Sequence, residues 1–246
     1  MELVIVDSYR ELSLRAAAHV AALLRRKPNA VLGLATGSTP VGLYQELVRL
    51  HRQEGLDFSR VTTFNLDEYW GLPDDHPASY HRFMQENLFG LVNLRPENTH
   101  IPSGTAENVE AECERYEEAI RRAGGIDLQI LGIGQNGHIG FNEPGTPFTS
   151  RTRVVDLTED TRRANARFFP SLEEVPRRAV TMGIATIMEA REILLLASGK
   201  EKAAALAAAV EGEVTPEVPA SVLQTHPRVT VLADRAAAAG TRRLAV

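Results

Sequence analysis

Asn136, His138, Asn142 and Glu143 fall in one short stretch, Leu131-Gly-Ile-Gly-Gln-Asn-Gly-His-Ile-Gly-Phe-Asn-Glu-Pro-Gly145, which also holds five glycines. An imidazole five residues from a carboxylate can pass protons near neutral pH. The glycines let the backbone turn sharply and approach a ligand. Before them runs Ile126-Asp-Leu-Gln-Ile130, which reads as a buried strand. The polar groups would then emerge at a strand's carboxyl end, where open α/β sheets bind ligands. A histidine in a tight turn is more often merely solvated, but four polar groups among five glycines weaken that reading.

Two other stretches carry chemistry. Ala35-Thr-Gly-Ser-Thr-Pro-Val-Gly42 ends a second apolar run. Thr39 is expected to cap the next helix, with Pro40 at its first position. Thr36, Gly37, Ser38 and Thr39 then offer amides and hydroxyls at a helix start, an anion cradle. The spacing fits neither a nucleotide P-loop nor a dinucleotide fingerprint. A small phosphate monoester suits it better, although an ordinary capped helix start looks much the same. Phe64-Asn-Leu-Asp-Glu-Tyr-Trp-Gly71 places Asp67 and Glu68 at the end of a third run. One of these carboxylates could abstract a carbon-bound proton while the other caps a turn. Asp74 and Asp75, bounded by prolines, read as solvated loop. His138 has no His or Cys neighbour at ligand spacing and the other histidines are scattered, so no metal site is expected. Lys202, on an expected helix over 200–210, could reach the anion site, though exposed helical lysines are usually solvated surface.

The elements that must position these groups alternate. Strands are predicted at 3–6, 30–35, 61–66, 126–130, 153–157, 192–197 and 229–232. Helices are predicted near 8–26, 41–50, 78–89, 106–122, 160–168, 183–190, 200–210 and 219–225. In the fourth helix, Val109, Cys113, Tyr116 and Ile120 form an inward stripe opposite a glutamate-rich face. Continuous apolar strands between helices imply an α/β fold, a three-layer α/β/α arrangement with a mostly parallel, Rossmann-like sheet. No linker or repeat interrupts residues 1–246, so a single domain is expected.

Composition narrows the function. The chain has 246 residues, 43% hydrophobic and 24% charged, with net charge -5. No basic cluster suggests a nucleic-acid or anionic-membrane partner. The single Cys113 excludes a disulfide framework and a cysteine metal site. The N-terminus has no basic segment with an apolar core, and no apolar stretch approaches the roughly 18 residues of a membrane span, so a cytoplasmic protein is expected.

Thr36-Gly-Ser-Thr-Pro40, Thr63-Phe-Asn-Leu-Asp-Glu-Tyr69, Ser79-Tyr-His81 and Gly132 to Pro144 closely resemble the glucosamine-6-phosphate deaminase family. Ser150-Arg-Thr-Arg153, Asn165-Ala-Arg-Phe-Phe169 and Ala208-Ala-Val-Glu-Gly212 extend the match along nearly the whole chain. The resemblance implies conversion of glucosamine 6-phosphate and water to fructose 6-phosphate and ammonia, in amino-sugar catabolism. It assigns ring opening to His138, assisted by Glu143 and Asn136, and proton abstraction at C2 to Asp67. It gives the phosphate to Thr36, Gly37, Ser38, Thr39, Arg167 and Lys202. No cofactor or metal is implied, and self-association stays open because the family includes monomers and hexamers.

Two departures stand out. Many members carry aspartate where this chain has Asn136; an amide can only orient His138 by hydrogen bonding. Members activated by N-acetylglucosamine 6-phosphate carry a lysine where Val155 stands and a C-terminal tail beyond the length reached at Val246, so weak or absent activation is expected. The nearest rival is a 6-phosphogluconolactonase-like hydrolase, which needs neither Asp67 nor the Gly-Phe-Asn-Glu-Pro continuation. A sugar-phosphate sensor would need a DNA-binding segment, for which no room precedes the first strand.

Overall fold

The computed structural model describes residues 1–242; the end at Val246, on which the expectation of a missing tail rests, lies outside the described residues. In chain order, β1 (Glu2–Val6) leads to α1 (Tyr9–Arg26), β2 (Val31–Leu34) to α2 (Val41–Glu54), and β3 (Thr62–Asn65) almost directly to β4 (Asp67–Trp70). There follow α3 (Tyr80–Asn87), β5 (Thr99–His100), α4 (Val109–Arg122), β6 (Leu128–Leu131), β7 (Arg153–Asp156) and α5 (Glu159–Asn165). The last are β8 (Arg178–Thr181), α6 (Ile184–Met188), β9 (Glu192–Ala197), α7 (Ala203–Glu211), β10 (Val229–Asp234) and α8 (Arg235–Ala238).

Seven strands form a parallel sheet in the order β1-β10-β9-β6-β2-β3-β5. Its strands are apolar on both faces because both are covered. Leu32, Leu34, Leu128 and Ile130 pack with Leu12, Val20, Leu43, Tyr44 and Leu47 of α1 and α2. On the other face, Phe64, Leu131, Ile193 and Leu195 pack with Tyr116, Ile120, Ile187 and Leu206. This is the three-layer arrangement expected. From β2 the chain winds outward to β3 and β5; from β6 it winds the other way to β9 and β10. The winding therefore reverses between β2 and β6, and a crevice opens at their carboxyl ends.

The strand read over 61–66 is β3, and a second strand that the sequence did not suggest follows at once in another sheet. Leu66 still donates its N–H to Leu34 O (3.0 Å), but its carbonyl accepts from Met182 N (2.7 Å). The chain thus leaves the large sheet at Leu66 and continues as β4 in an antiparallel sheet ordered β4-β8-β7. The strand read over 153–157 belongs to this smaller sheet as well. Its central strand β8, Arg178-Ala-Val-Thr181, has too short an apolar run to be read from sequence. Three helix assignments also change. Residues 160–168 divide into α5 and a 3₁₀ turn, Ala166–Phe168; 200–210 open with a 3₁₀ turn, Lys200–Lys202; and Pro219–Thr225 is 3₁₀ throughout.

The polar face of α4 is only partly solvated. Glu112 and Glu117 are buried. Glu117 accepts from Thr152 N (2.9 Å), Thr152 Oγ1 (2.8 Å) and Thr186 Oγ1 (2.5 Å), which ties α4 to the smaller sheet and α6. Among the described residues, no helix is long and apolar enough to cross a membrane.

Candidate active site

Three neighbouring strands deliver their loops to the crevice. After β2, Gly37 has φ +90°, a left-handed conformation that glycine adopts without strain, and it turns the chain toward α2. Thr39 does not cap that helix: Pro40 is the N-cap residue and no side chain bonds there. Tyr9 of α1 takes over instead. Its hydroxyl donates to Ser38 O (3.0 Å) and Thr39 O (2.8 Å) and accepts from Gly42 N (2.9 Å). The side chains of Ser38 and Thr39 are thereby spared from capping.

Asp67 opens β4 and is 7% exposed. Burial, reinforced by the charge of Glu68, raises its pKa to about 8. Its Oδ2 lies 3.8 Å from where a Cβ on Gly140 would sit, so the carboxylate borders the glycine-rich loop. Glu68 points elsewhere. It accepts from the backbone N–H of Tyr69 (2.8 Å), Tyr80 (2.9 Å) and His81 (3.0 Å) and faces His81 Nδ1 at 2.8 Å. Glu68 is therefore the anchor for the start of α3, and Asp67 the carboxylate on the crevice side.

The loop after β6 positions the imidazole. Gly134 passes so close under His138 that any side chain there would overlap the ring. Asn136 Nδ2 donates to Glu143 Oε2 (2.8 Å). That contact fixes the amide, because a carboxylate can only accept. Asn136 Oδ1 then faces His138, accepting its backbone N–H at 3.2 Å and meeting Nδ1 at 2.7 Å. An amide oxygen accepts only, so Nδ1 carries a proton, and Nε2 takes no part in this contact. Glu143 Oε2 is 3.6 Å from Nδ1, within ion-pair range but outside hydrogen-bond range. Burial pushes the Glu143 carboxyl up, but His138 and the hydrogen bonds from Thr161 and Asn136 outweigh it and bring the pKa down to about 2. The amide at 136 thus touches both Glu143 and His138.

The remaining predicted residues lie on other elements. Arg167 lies in the 3₁₀ turn after α5, its guanidinium 4.7 Å above the Phe168 ring. Lys202 ends the 3₁₀ turn before α7, at the N-cap position rather than inside the helix. Burial, and the positive charge of Arg167, depress its pKa against the pull of Glu201. Two cations held near each other in this way suit a dianion. Among the described residues, no hydrogen bond or ion pair joins either of them to the Thr36–Thr39 turn. The connection runs through residues the sequence reading passed over. Tyr80 lies within hydrogen-bonding reach of Thr36 and Tyr69, and Tyr69 within reach of Asn165 on α5. Tyr69 also packs against Phe141 and Phe169 at 6.0 and 5.5 Å. In Ser79-Tyr-His81 the sequence carries one physical signal, the Ser79 cap on α3. Among the described residues, no cluster of three or more His, Cys, Asp or Glu could hold a metal.

A doubly wound sheet with a buried carboxylate and a hydrogen-bonded imidazole on the loops beside its reversal point is that of an α/β enzyme. The chain belongs to the family described as glucosamine-6-phosphate isomerases/6-phosphogluconolactonase, whose pattern matches residues 7–232. It is 58% identical to the glucosamine-6-phosphate deaminase of Halothermothrix orenii over 97% of this chain and 99% of that one. Among solved structures, it superposes on a monomeric glucosamine-6-phosphate deaminase with TM-score 0.96 and 52% identity, covering 98% of this chain and 100% of that one. A 6-phosphogluconolactonase from Thermotoga maritima, 23% identical with TM-score 0.71 over 95% of this chain and 98% of that one, shares the fold.

Proposed function

We propose that this chain converts glucosamine 6-phosphate and water to fructose 6-phosphate and ammonia, with Asp67 as base and His138 as ring opener. The observation that carries the reading is the placement of Asp67. A buried carboxylate with a raised proton affinity borders the loop that holds an oriented imidazole. Identity with deaminases along the chain supports the substrate.

The sugar arrives as a ring. With the imidazole neutral, His138 Nε2 accepts the proton of the anomeric hydroxyl, and the imidazolium returns it to the ring oxygen as the ring opens. Asp67 then removes the C2 proton. The electron pair moves into a C1–C2 double bond, the C1 oxygen takes a proton from the C2 ammonium to give an enolamine, and Asp67 delivers the C2 proton to C1, leaving an iminium at C2. The C2 iminium takes up water and expels ammonia, leaving the ketone. An aspartate of ordinary acidity would be a weak base for a C–H bond; burial moves Asp67 toward the proton affinity the step needs. Arg167, Lys202 and the Thr36–Thr39 turn hold the phosphate, so that C1 and C2 meet their acid and base. No further cofactor, nucleic acid or membrane takes part in this reading, and one copy of the chain in the cytoplasm carries every residue it uses.

The test is ammonia release with equimolar fructose 6-phosphate from glucosamine 6-phosphate, run beside hydrolysis of 6-phosphogluconolactone. Lactone hydrolysis without ammonia would replace this reading with the lactonase one.

A further inference from the structure

The Glu143 side chain has a partner outside its own loop. Thr161, on the first turn of α5, donates its hydroxyl to Glu143 Oε1 at 2.5 Å. That hydroxyl is itself directed. Thr158, the N-cap of α5, accepts the Thr161 N–H and donates its own hydroxyl to Thr161 Oγ1 at 3.0 Å. The carboxylate can only accept, so the Thr161 proton is committed to it. A continuous line of donors and acceptors then runs from Thr158 through Thr161, Glu143 and Asn136 to His138 Nδ1. Glu143 is attached at both ends, one oxygen to Thr161 and the other to Asn136. Without the Thr161 bond it could rotate and release the amide, leaving the longer contact from the His138 backbone N–H (3.2 Å) to select which face Asn136 turns to the imidazole.

We propose that Thr161 is a positioning residue for His138, holding Glu143 so that the amide of Asn136 keeps the imidazole proton on Nδ1. This inference rests on the deaminase reading for its effect on turnover. The same short arm carries Asn165, which reaches Tyr69, and Arg167. Thr161 therefore fastens the arm bearing a phosphate-side cation to the proton-transfer loop.

The test compares Thr161→Val, which keeps the shape without the hydroxyl, with Thr161→Ser, which keeps the hydroxyl. In Thr161→Val, kcat should fall about tenfold or more, the order expected when a charged group loses a hydrogen bond, with KM changed little. Thr161→Ser should recover most of the rate. Nitrogen-15 spectra of the histidine rings, with His138 assigned by its disappearance in His138→Gln, should show the proton on Nδ1 in the wild type and Thr161→Ser. In Thr161→Val it should spread to Nε2. Unchanged ring signals in a folded Thr161→Val would overturn the proposal, and so would Thr161→Ser falling as low as Thr161→Val. If the wild type released no ammonia, the deaminase reading would fail, and the ring spectra would still decide the role of Thr161.

Discussion

Asp67 and Glu68 are consecutive residues of β4 whose side chains meet different surroundings. Glu68 is wrapped by backbone N–H groups at the start of α3, whereas Asp67 borders the glycine-rich loop with its proton held to about pH 8 by burial and by Glu68. Alternation along a strand separates them: neighbours point to opposite faces. Asp67→Asn should cut turnover by at least the ~10²–10⁴-fold expected for a general base, with substrate binding largely kept. Calorimetric binding beside the kinetic assay checks this, and a variant near wild-type rate would move the base elsewhere.

Because Asp67 must be ionised to act as a base, kcat/KM should rise with pH through about 8. A flat profile between neutrality and pH ~9 would contradict that assignment.

The same group bears on stability. Its folded pKa of about 8 exceeds the ~3.9 of an unfolded aspartate, so between those values the folded chain binds the extra proton. Stability is then lost as pH rises across that window and levels off above it. Asp67→Asn removes this slope. Thermal melts should show the variant gaining on the wild type from acid toward pH ~8, and parallel curves would refute the shift.

His138→Gln should impair ring opening above all. Part of its activity should return on a substrate supplied in open-chain form, measured as ammonia release. Equal losses on closed and open substrates would assign His138 another step.

Asn136→Asp would put a second carboxylate where the amide now donates to Glu143 at 2.8 Å. Two carboxylates so close cannot both ionise easily, so one must keep a proton into a higher pH range. The acid limb of the rate profile should move upward from that of the wild type. Superimposable profiles would show that the amide is not what fixes the relay.

N-Acetylglucosamine 6-phosphate should leave the rate curves unchanged, since Val155 stands where activated members carry a lysine. A change from sigmoidal to hyperbolic kinetics on adding it would show that activation survives without that cation.

Most of the larger sheet was legible because burial on both faces writes largely apolar runs into β2, β6, β9 and β10; β5, only Thr99-His100, was not. The smaller sheet was not. β4 is Asp-Glu-Tyr-Trp, and β8 has only Ala179 and Val180 between polar ends, so neither carries a strand pattern of its own. Their pairing exists only through long-range contact. Among site residues, those on glycine-rich strand ends were found by type and spacing. Thr161, Tyr69 and Tyr80 were missed because a threonine early in a helix and tyrosines in apolar company look like ordinary structure. The Thr39 cap was misread because the competing hydroxyl comes from Tyr9, 30 residues away.

The passage from β3 to β4 turns on one residue, Leu66, whose N–H is bound to the larger sheet and whose carbonyl is bound to the smaller. Register there has no slack. Inserting or deleting a single residue between Thr62 and Leu66 would exchange the faces of Asp67 and Glu68, turning the crevice-side carboxylate into the helix anchor and the anchor toward the crevice. The proton affinity of Asp67 can therefore be tuned by replacing what surrounds it, whereas a change of length here would move the group itself.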